Sequence, residues 1–196
     1  EMKARFQKLF PRWQAADFST IHSLAYAVMR EFFQKKHIDF QLIEGSGMAS
    51  KNQILREIYT AFYKDMATED QIEELTTYIS FVKNKMLPQE KWAGVCCSNR
   101  KAPEILAAYE KFKQQDESLL LDYDDILLWA ERAFSEDEEL LQRYQSRYSY
   151  VFTDESQDTS LVQHRLIAHL VEKSGNLCVV ADDDQSIYRW RGADPE

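Results

Sequence analysis

Basic residues are scarce relative to acids in this sequence. The 24 lysines and arginines stand against 33 aspartates and glutamates, which gives a net charge of -9. Proteins that bind nucleic acid or anionic membranes by bulk electrostatics usually present a basic face. The charge balance argues against that mode of binding for the chain as a whole, so any polyanion site must be local.

Long apolar runs and paired cysteines are also missing. No stretch approaches the roughly 18 uninterrupted apolar residues of a membrane span, and the first ten residues lack the basic-then-apolar order of a secretion signal. Cys96, Cys97 and Cys178 form no CxxC pair and have no histidine nearby in sequence, which argues against a disulfide framework or a zinc site. We therefore expect a cytoplasmic protein with reduced thiols, and we expect Cys178, which stands in an apolar run, to be a small core residue.

Helical signals fill most of the chain, which has 44% apolar residues and no repeat or long Pro/Gly linker. Apolar residues recur at three and four from Ile21 to Lys35, with Ser19 or Thr20 available as cap. Capping patterns or a first-turn proline predict further helix starts at Ser50, Thr68, Pro103, Asp122 and Ser135.

The pattern changes towards the C-terminal end. "YSYVFTDE" (Tyr148 to Glu155) and "NLCVVADD" (Asn176 to Asp183) are typical of short strands, and residues 160–173 between them are helical in pattern. A strand, helix and strand in this order predict a βαβ unit with two parallel strands. The chain is thus expected to combine an α/β part with a helical part in its middle, and the acids after both strands lie at the edge where α/β sheets bind ligands.

The first acidic cluster suits phosphate chemistry. Asp154 and Glu155 end the first strand, so one carboxylate can hold magnesium while its neighbour orients and deprotonates a water molecule. The alternative is that acids here cap the next helix. We favour the cap for Asp158 alone and the metal for the pair.

The second acidic cluster combines Asp182, Asp183 and Asp184 with an aromatic and basic stretch. Turn chemistry explains one or two of these aspartates, but three would repel one another unless they are solvated, hydrogen-bonded or near a cation. The residues that follow are either ordinary packing residues or a stacking surface for unpaired bases, namely Tyr188, Trp190 and Arg191.

Two further features have both a structural and a functional interpretation. Thr20 and His22 stand at a helix start, where a hydroxyl and an imidazole can contact a phosphate backbone, although a lone histidine there is more often a surface residue. The acids of "DYDD" (Asp122 to Asp125) are interpreted as helix initiation.

Five segments together resemble the UvrD/Rep/PcrA-like helicases of superfamily 1. "VFTDESQDTSLVQ" resembles their Walker B segment, and "VVADDDQSIYRWRGA" is similar to the segment that follows it almost letter for letter. Three further segments resemble other family motifs in the same order: "EMKARF", "STIHSLAYAVMREF" and "LDYDDILLWA".

The resemblance implies an ATP-dependent 3'-to-5' DNA helicase that uses ATP and Mg²⁺ and acts on single-stranded DNA and single/double-strand junctions. Asp154 would be the magnesium-side acid and Glu155 the catalytic base. Gln157 and Gln185 would sense the terminal phosphate. The residues implied to touch single-stranded DNA are Thr20, His22, Tyr188, Trp190 and Arg191.

The resemblance also implies a fold with two parts. Residues 1–39 and 119–196 would form a partial P-loop NTPase (RecA-like) motor domain, called 1A, with parallel strands. Residues 40–118 would form an inserted helical subdomain, called 1B, beside the DNA.

This sequence departs from the family pattern in several ways. Ser156 and Ala181 replace usual motif residues without removing a catalytic group. The phosphate-binding loop G-x-x-x-x-G-K-S/T does not occur. We therefore expect an internal fragment that is inactive as an isolated ATPase. The alternatives are a non-catalytic DNA-binding or scaffold protein of the same descent, or part of a helicase-nuclease subunit.

Overall fold

The computed structural model describes residues 2–12, 16–45, 50–115, 118–182 and 184. Within these residues it contains eight α-helices, which are α1 (Met2–Leu9), α2 (Ile21–Lys36), α3 (Lys51–Tyr63), α4 (Glu69–Asn84), α5 (Ala102–Phe112), α6 (Tyr123–Glu136), α7 (Glu138–Arg147) and α8 (Leu161–Val171). The same residues contain four short strands, which are β1 (Phe40–Leu42), β2 (Leu119–Leu121), β3 (Val151–Thr153) and β4 (Leu177–Val179). No helix in these ranges is long and apolar enough to span a membrane.

Helix starts follow the capping patterns of the sequence. The Thr20 hydroxyl accepts the Ser23 N–H at 3.1 Å and so caps α2. The capping box of Thr68 and Gln71 opens α4, and Thr68 accepts the Gln71 N–H at 3.3 Å. Each such cap stabilises a helix by about 1 kcal/mol. These local contacts confirm the predicted starts of both helices.

One predicted cap is wrong. The sequence favoured Ser135 as the start of the helix that follows α6, but α6 continues to Glu136 and α7 begins after Asp137. The Asp137 carboxylate accepts the Leu140 N–H at 3.0 Å, and the Lys35 ammonium lies 2.8 Å from its Oδ2. Asp137 is the better cap because its negative charge interacts with both the helix N-terminus and a distant lysine.

The strands form two separate parallel pairs. β3 pairs with β4 in a register that places Val151 opposite Leu177, which confirms the predicted βαβ unit. β1 pairs with β2, with Phe40 opposite Leu119, and this pair was missed in the sequence. A three-residue strand is too short to show a period of two, and its partner here lies beyond the whole helical segment.

Two hydrophobic cores lie on either side of the β1–β2 pair. The first is built by α2, α6, α7 and α8, and the second by α3, α4 and α5. In β2, Leu120 belongs to the second core and the adjacent Leu121 to the first. Successive side chains of a strand point to opposite faces, so one short strand contributes to both cores.

The β3–β4 pair is less covered than the sequence suggested. Cys178 is exposed, so the expectation that it is a core residue is wrong. Phe152 is 73% exposed and Val179 54%. An apolar run predicts burial only where another layer covers the strand, and within the described residues no layer covers these side chains.

Candidate functional site

The acid pair lies where β3 and β4 end side by side. Asp154 and Glu155 follow the last residue of β3 and are both exposed. The Val180 N–H donates to the Thr153 carbonyl at 2.8 Å, and the Ser156 N–H donates to the Val180 carbonyl at 3.1 Å. These two bonds extend the pairing beyond the strands, so the acids after β3 and the residues after β4 share one edge.

Glu155 has an unusual backbone conformation. Its φ of 53° and ψ of 38° lie in the left-handed region. For a residue other than glycine this conformation costs on the order of 1 kcal/mol or more, and such strain concentrates at functional sites. The Glu155 N–H donates to Asp154 Oδ1 at 3.0 Å, which partly offsets the cost. The turn therefore places two carboxylates close together at the strand end.

The buried side chain of Gln157 joins the two strand ends. It is only 1% exposed. Its Nε2 donates to Glu155 Oε2 at 2.6 Å, and its Oε1 accepts the backbone N–H of Asp182 at 3.0 Å. The structure thus brings Glu155, Gln157 and Asp182 together, although the last two are far apart in sequence.

Asp158 does not cap α8, the helix that follows the acid pair. The helix is capped at Ser160, whose N–H donates to Gln163 Oε1 at 2.8 Å, so the expectation that Asp158 caps the next helix is wrong. Oδ1 of Asp158 is buried and has no hydrogen-bond partner among the described residues. Asp158 does not cap α8 because the 3-10 turn of residues 156–158 places it two residues before the cap position.

A cleft of about 610 Å³ connects this region with the start of α2. His22 lines it from α2, and Asp158 and Gln163 line it from the segment after β3. The opposite wall is the polar face of α4, with Thr76, Thr77, Ser80 and Asn84. Sequence reasoning did not find that wall, since hydroxyl and amide side chains on a helix usually mark a solvated face.

The cleft is polar and in part acidic. Asp124 is its best-anchored group, because its carboxylate accepts from the Ser80 hydroxyl at 2.8 Å, from Asn84 Nδ2 at 3.0 Å and from Lys51 at 3.1 Å. Burial lowers the pKa of His22, and the Asp124 carboxylate opposes this by raising it. His22 is therefore expected to present a neutral imidazole at neutral pH.

A buried ionic cluster lies behind the cleft. Asp122 caps α6, as the sequence predicted, and Asp125 completes a reciprocal capping box with it. Both also contact Lys83, whose ammonium lies 3.0 Å from Asp122 Oδ2 and 2.7 Å from Asp125 Oδ1. Lys113 lies 2.7 Å from the other oxygen of Asp125. Although burial acts in the opposite direction, Lys83 and Lys51 hold the pKa of Asp122 well below its usual range.

Sequence reasoning missed the lysines of this cluster, although one signal was available. Lys83 follows Ile79 by four residues and Val82 by one, so it lies on the apolar stripe of α4. A lysine within such a stripe is seldom buried unless it is paired. Its place in the pattern could therefore have indicated an acidic partner elsewhere in the chain.

Part of the predicted site lies outside the described residues. These positions are Gln185, Tyr188, Trp190 and Arg191, together with Asp183. Of the remaining aspartates, Asp182 accepts the Asp184 N–H at 3.1 Å, which agrees with the turn interpretation for Asp182. Within the described part of the chain, no three His, Cys, Asp or Glu residues are grouped as metal ligands.

The sequence model of the UvrD/REP helicase N-terminal domain matches residues 1–196, the whole chain. The chain belongs to this family. Its parallel strands and its mixed helix and strand content are compatible with part of a UvrD/REP N-terminal domain.

Individual UvrD/REP relatives agree with this assignment. "ATP-dependent DNA helicase PcrA" of Bacillus subtilis (strain 168) is 32% identical over 199 residues, which cover 99% of this chain and 26% of the relative. "Putative ATP-dependent DNA helicase YjcD" of the same organism is 32% identical over 181 residues, which cover 90% of this chain and 22% of the relative. "ATP-dependent DNA helicase PcrA" of Staphylococcus epidermidis (strain ATCC 12228 / FDA PCI 1200) is 30% identical over 198 residues, which cover 99% of this chain and 26% of the relative. The chain thus spans about a quarter of the length of these relatives.

Proposed function

We propose that this chain is part of the motor of an ATP-dependent DNA helicase that couples ATP hydrolysis to 3'-to-5' movement on single-stranded DNA and to duplex unwinding. The observation that carries the proposal is the strand-end arrangement of Asp154 and Glu155, with Gln157 tying Glu155 to the end of β4. Carboxylates at the carboxyl ends of parallel strands are where nucleotide-hydrolysing α/β domains bind their ligand.

The proposal includes two structural units. Residues 1–39 and 119–196 would form the partial RecA-like domain 1A, and residues 40–118 the helical subdomain 1B. The two hydrophobic cores support this division, and the β1–β2 pair joins the start of the 40–118 segment to the residues that directly follow its end. The exposed apolar side chains of β3 and β4 support a further covering layer in the whole protein, because parallel sheets are normally covered on both faces.

The acid pair would serve ATP hydrolysis. Asp154 would hold Mg²⁺, which suits an exposed carboxylate that already uses Oδ1 to fix its neighbour's backbone. Bound Mg²⁺ would neutralise charge on the phosphates of ATP. Glu155 would orient and deprotonate the attacking water, and Gln185 would contact the terminal phosphate.

Single-stranded DNA would be bound by two groups of residues. Thr20 and His22 at the start of α2 form one group, and His22 faces the 610 Å³ cleft. Tyr188, Trp190 and Arg191 form the other, as stacking and guanidinium groups. Because Thr20 already uses its hydroxyl as the α2 cap, its expected contact with DNA is through the helix start as a whole. Single/double-strand junctions are the expected substrate, and a cytoplasmic location stays a prediction.

The experiment compares the isolated chain of residues 1–196 with the full-length protein that carries it. We expect DNA-stimulated ATP hydrolysis only from the full-length protein, because positioning of the phosphates supplies most of the catalysis and the loop for it is not among these residues. Glu155→Gln should abolish hydrolysis in the full-length protein. A full-length protein that binds DNA but never hydrolyses ATP would favour the non-catalytic scaffold instead.

A further inference from the structure

The side chain of Gln157 is fully engaged with protein groups at the strand-end site. Its amide nitrogen lies 2.6 Å from Glu155 Oε2, and its amide oxygen lies 3.0 Å from the backbone nitrogen of Asp182. With 1% exposure it has almost no surface on which to meet a ligand. A direct contact with a terminal phosphate would require this side chain to leave both partners and its buried position.

We infer that Gln157 is a positioning residue, which fixes the carboxylate of Glu155 and ties it to the backbone at the end of β4. The inference rests on the proposed function of Glu155 as the base that activates water. It replaces the expectation that Gln157 itself senses the phosphate.

The need for such a residue follows from the conformation of Glu155. Its side chain is exposed and its backbone is left-handed, so neither packing nor regular structure holds its carboxylate in one place. A hydrogen bond from an amide to a carboxylate is charge-assisted and directional. A catalytic base must lie within hydrogen-bond reach of its water, so a fixed carboxylate serves the reaction better than a mobile one.

The second hydrogen bond gives this residue a coupling role. In sequence, Asp182 stands shortly after β4 and three residues before Gln185. Because Gln157 binds the Asp182 backbone, any shift of Asp182 relative to β3 would also move the Glu155 carboxylate. Gln157 thus connects the position of the second strand end with the activation of water.

The test uses the full-length protein and measures DNA-stimulated ATP hydrolysis. Gln157→Met keeps the side-chain volume and removes both hydrogen bonds. We expect kcat to fall roughly tenfold to 100-fold, with the KM for ATP changed by less than about threefold, because the lost contact matters mainly for positioning in the transition state. Gln145→Met is the matched control, since Gln145 is also buried and its Nε2 donates to the His169 carbonyl at 2.7 Å in another part of the fold.

A second variant separates positioning from simple loss of stability. Gln157→Glu retains an acceptor for the Asp182 N–H but places a carboxylate against that of Glu155. Two adjacent carboxylates favour protonation of one of them, so the acidic limb of the kcat profile should move to higher pH.

The outcomes are distinguishable from failure of the proposed function. If the unmodified full-length protein has no ATPase activity that depends on Glu155, the proposed function fails. If that activity exists and Gln157→Met matches Gln145→Met in kcat, the positioning role is overturned. A rise in the KM for ATP with kcat unchanged would also overturn it, because that result indicates direct ligand binding by Gln157.

Discussion

Lys83 and Asp122 form a buried ion pair that joins the two hydrophobic cores. The Lys83 ammonium lies 3.0 Å from Asp122 Oδ2 and 3.1 Å from Oδ1, and the side chains are 6% and 0% exposed. Lys83 is on α4, in the second core, and Asp122 caps α6, in the first. The pair therefore fixes the position of α4, one wall of the cleft, relative to α6.

Removing the lysine should strongly destabilise the chain. Lys83→Met leaves Asp122 and Asp125 buried beside fewer cations, and breaking a buried pair costs about 3–5 kcal/mol. The free energy of unfolding from urea denaturation would show this loss. Lys35→Met is the matched control, because Lys35 pairs with Asp137 while half exposed, and its loss should be much smaller. Equal losses in the two variants would contradict the structural role of the cluster.

The cluster should also set the acid stability of the chain. The pKa of Asp122 is lowered in the folded state, so its contribution is present above the unfolded pKa of about 4 and is lost as pH falls below it. Asp122→Asn should therefore remove part of the decrease in unfolding free energy between pH 5 and pH 3. An unchanged pH dependence in that variant would argue against the depressed pKa.

The start of α7 offers a test of local capping. Asp137→Ala removes the acceptor of the Leu140 N–H and should cost about 1 kcal/mol, as measured by thermal or urea unfolding. Ser135→Ala, two residues earlier and inside α6, should stay within about 0.5 kcal/mol of the unmodified chain. A larger loss of stability in Ser135→Ala than in Asp137→Ala would indicate that Ser135 is the cap of α7.

The cleft can be tested through its histidine. In the full-length protein, His22→Ala should weaken binding of single-stranded DNA by roughly threefold to tenfold, the value of one lost hydrogen bond. His37→Asn is the control, because His37 ends the same helix with a φ of 55°, which asparagine tolerates. Fluorescence anisotropy with a labelled oligonucleotide measures both affinities. If the two variants bind equally well, the cleft is not the DNA path.

Sequence reasoning succeeded where the relevant contacts are local. The cap of α2 by Thr20 and the βαβ order around α8 depend on residues within a few positions of one another or on a repeated period. The family was likewise readable from short motifs, and the match over the whole chain confirms it. The Ser135 cap failed because a distant lysine favours Asp137.

The sequence by itself determined the caps that start α2 and α4, the parallel strand pair that carries the acids, and the family. Only the tertiary structure decided that Gln157 connects Glu155 to Asp182, that Lys83 lies between Asp122 and Asp125, and that α4 faces His22 across a cleft. The physical reason is separation along the chain. Hydrogen bonds and ion pairs act over about 3 Å in space, so partners 25 or 39 residues apart become visible only once the backbone is folded.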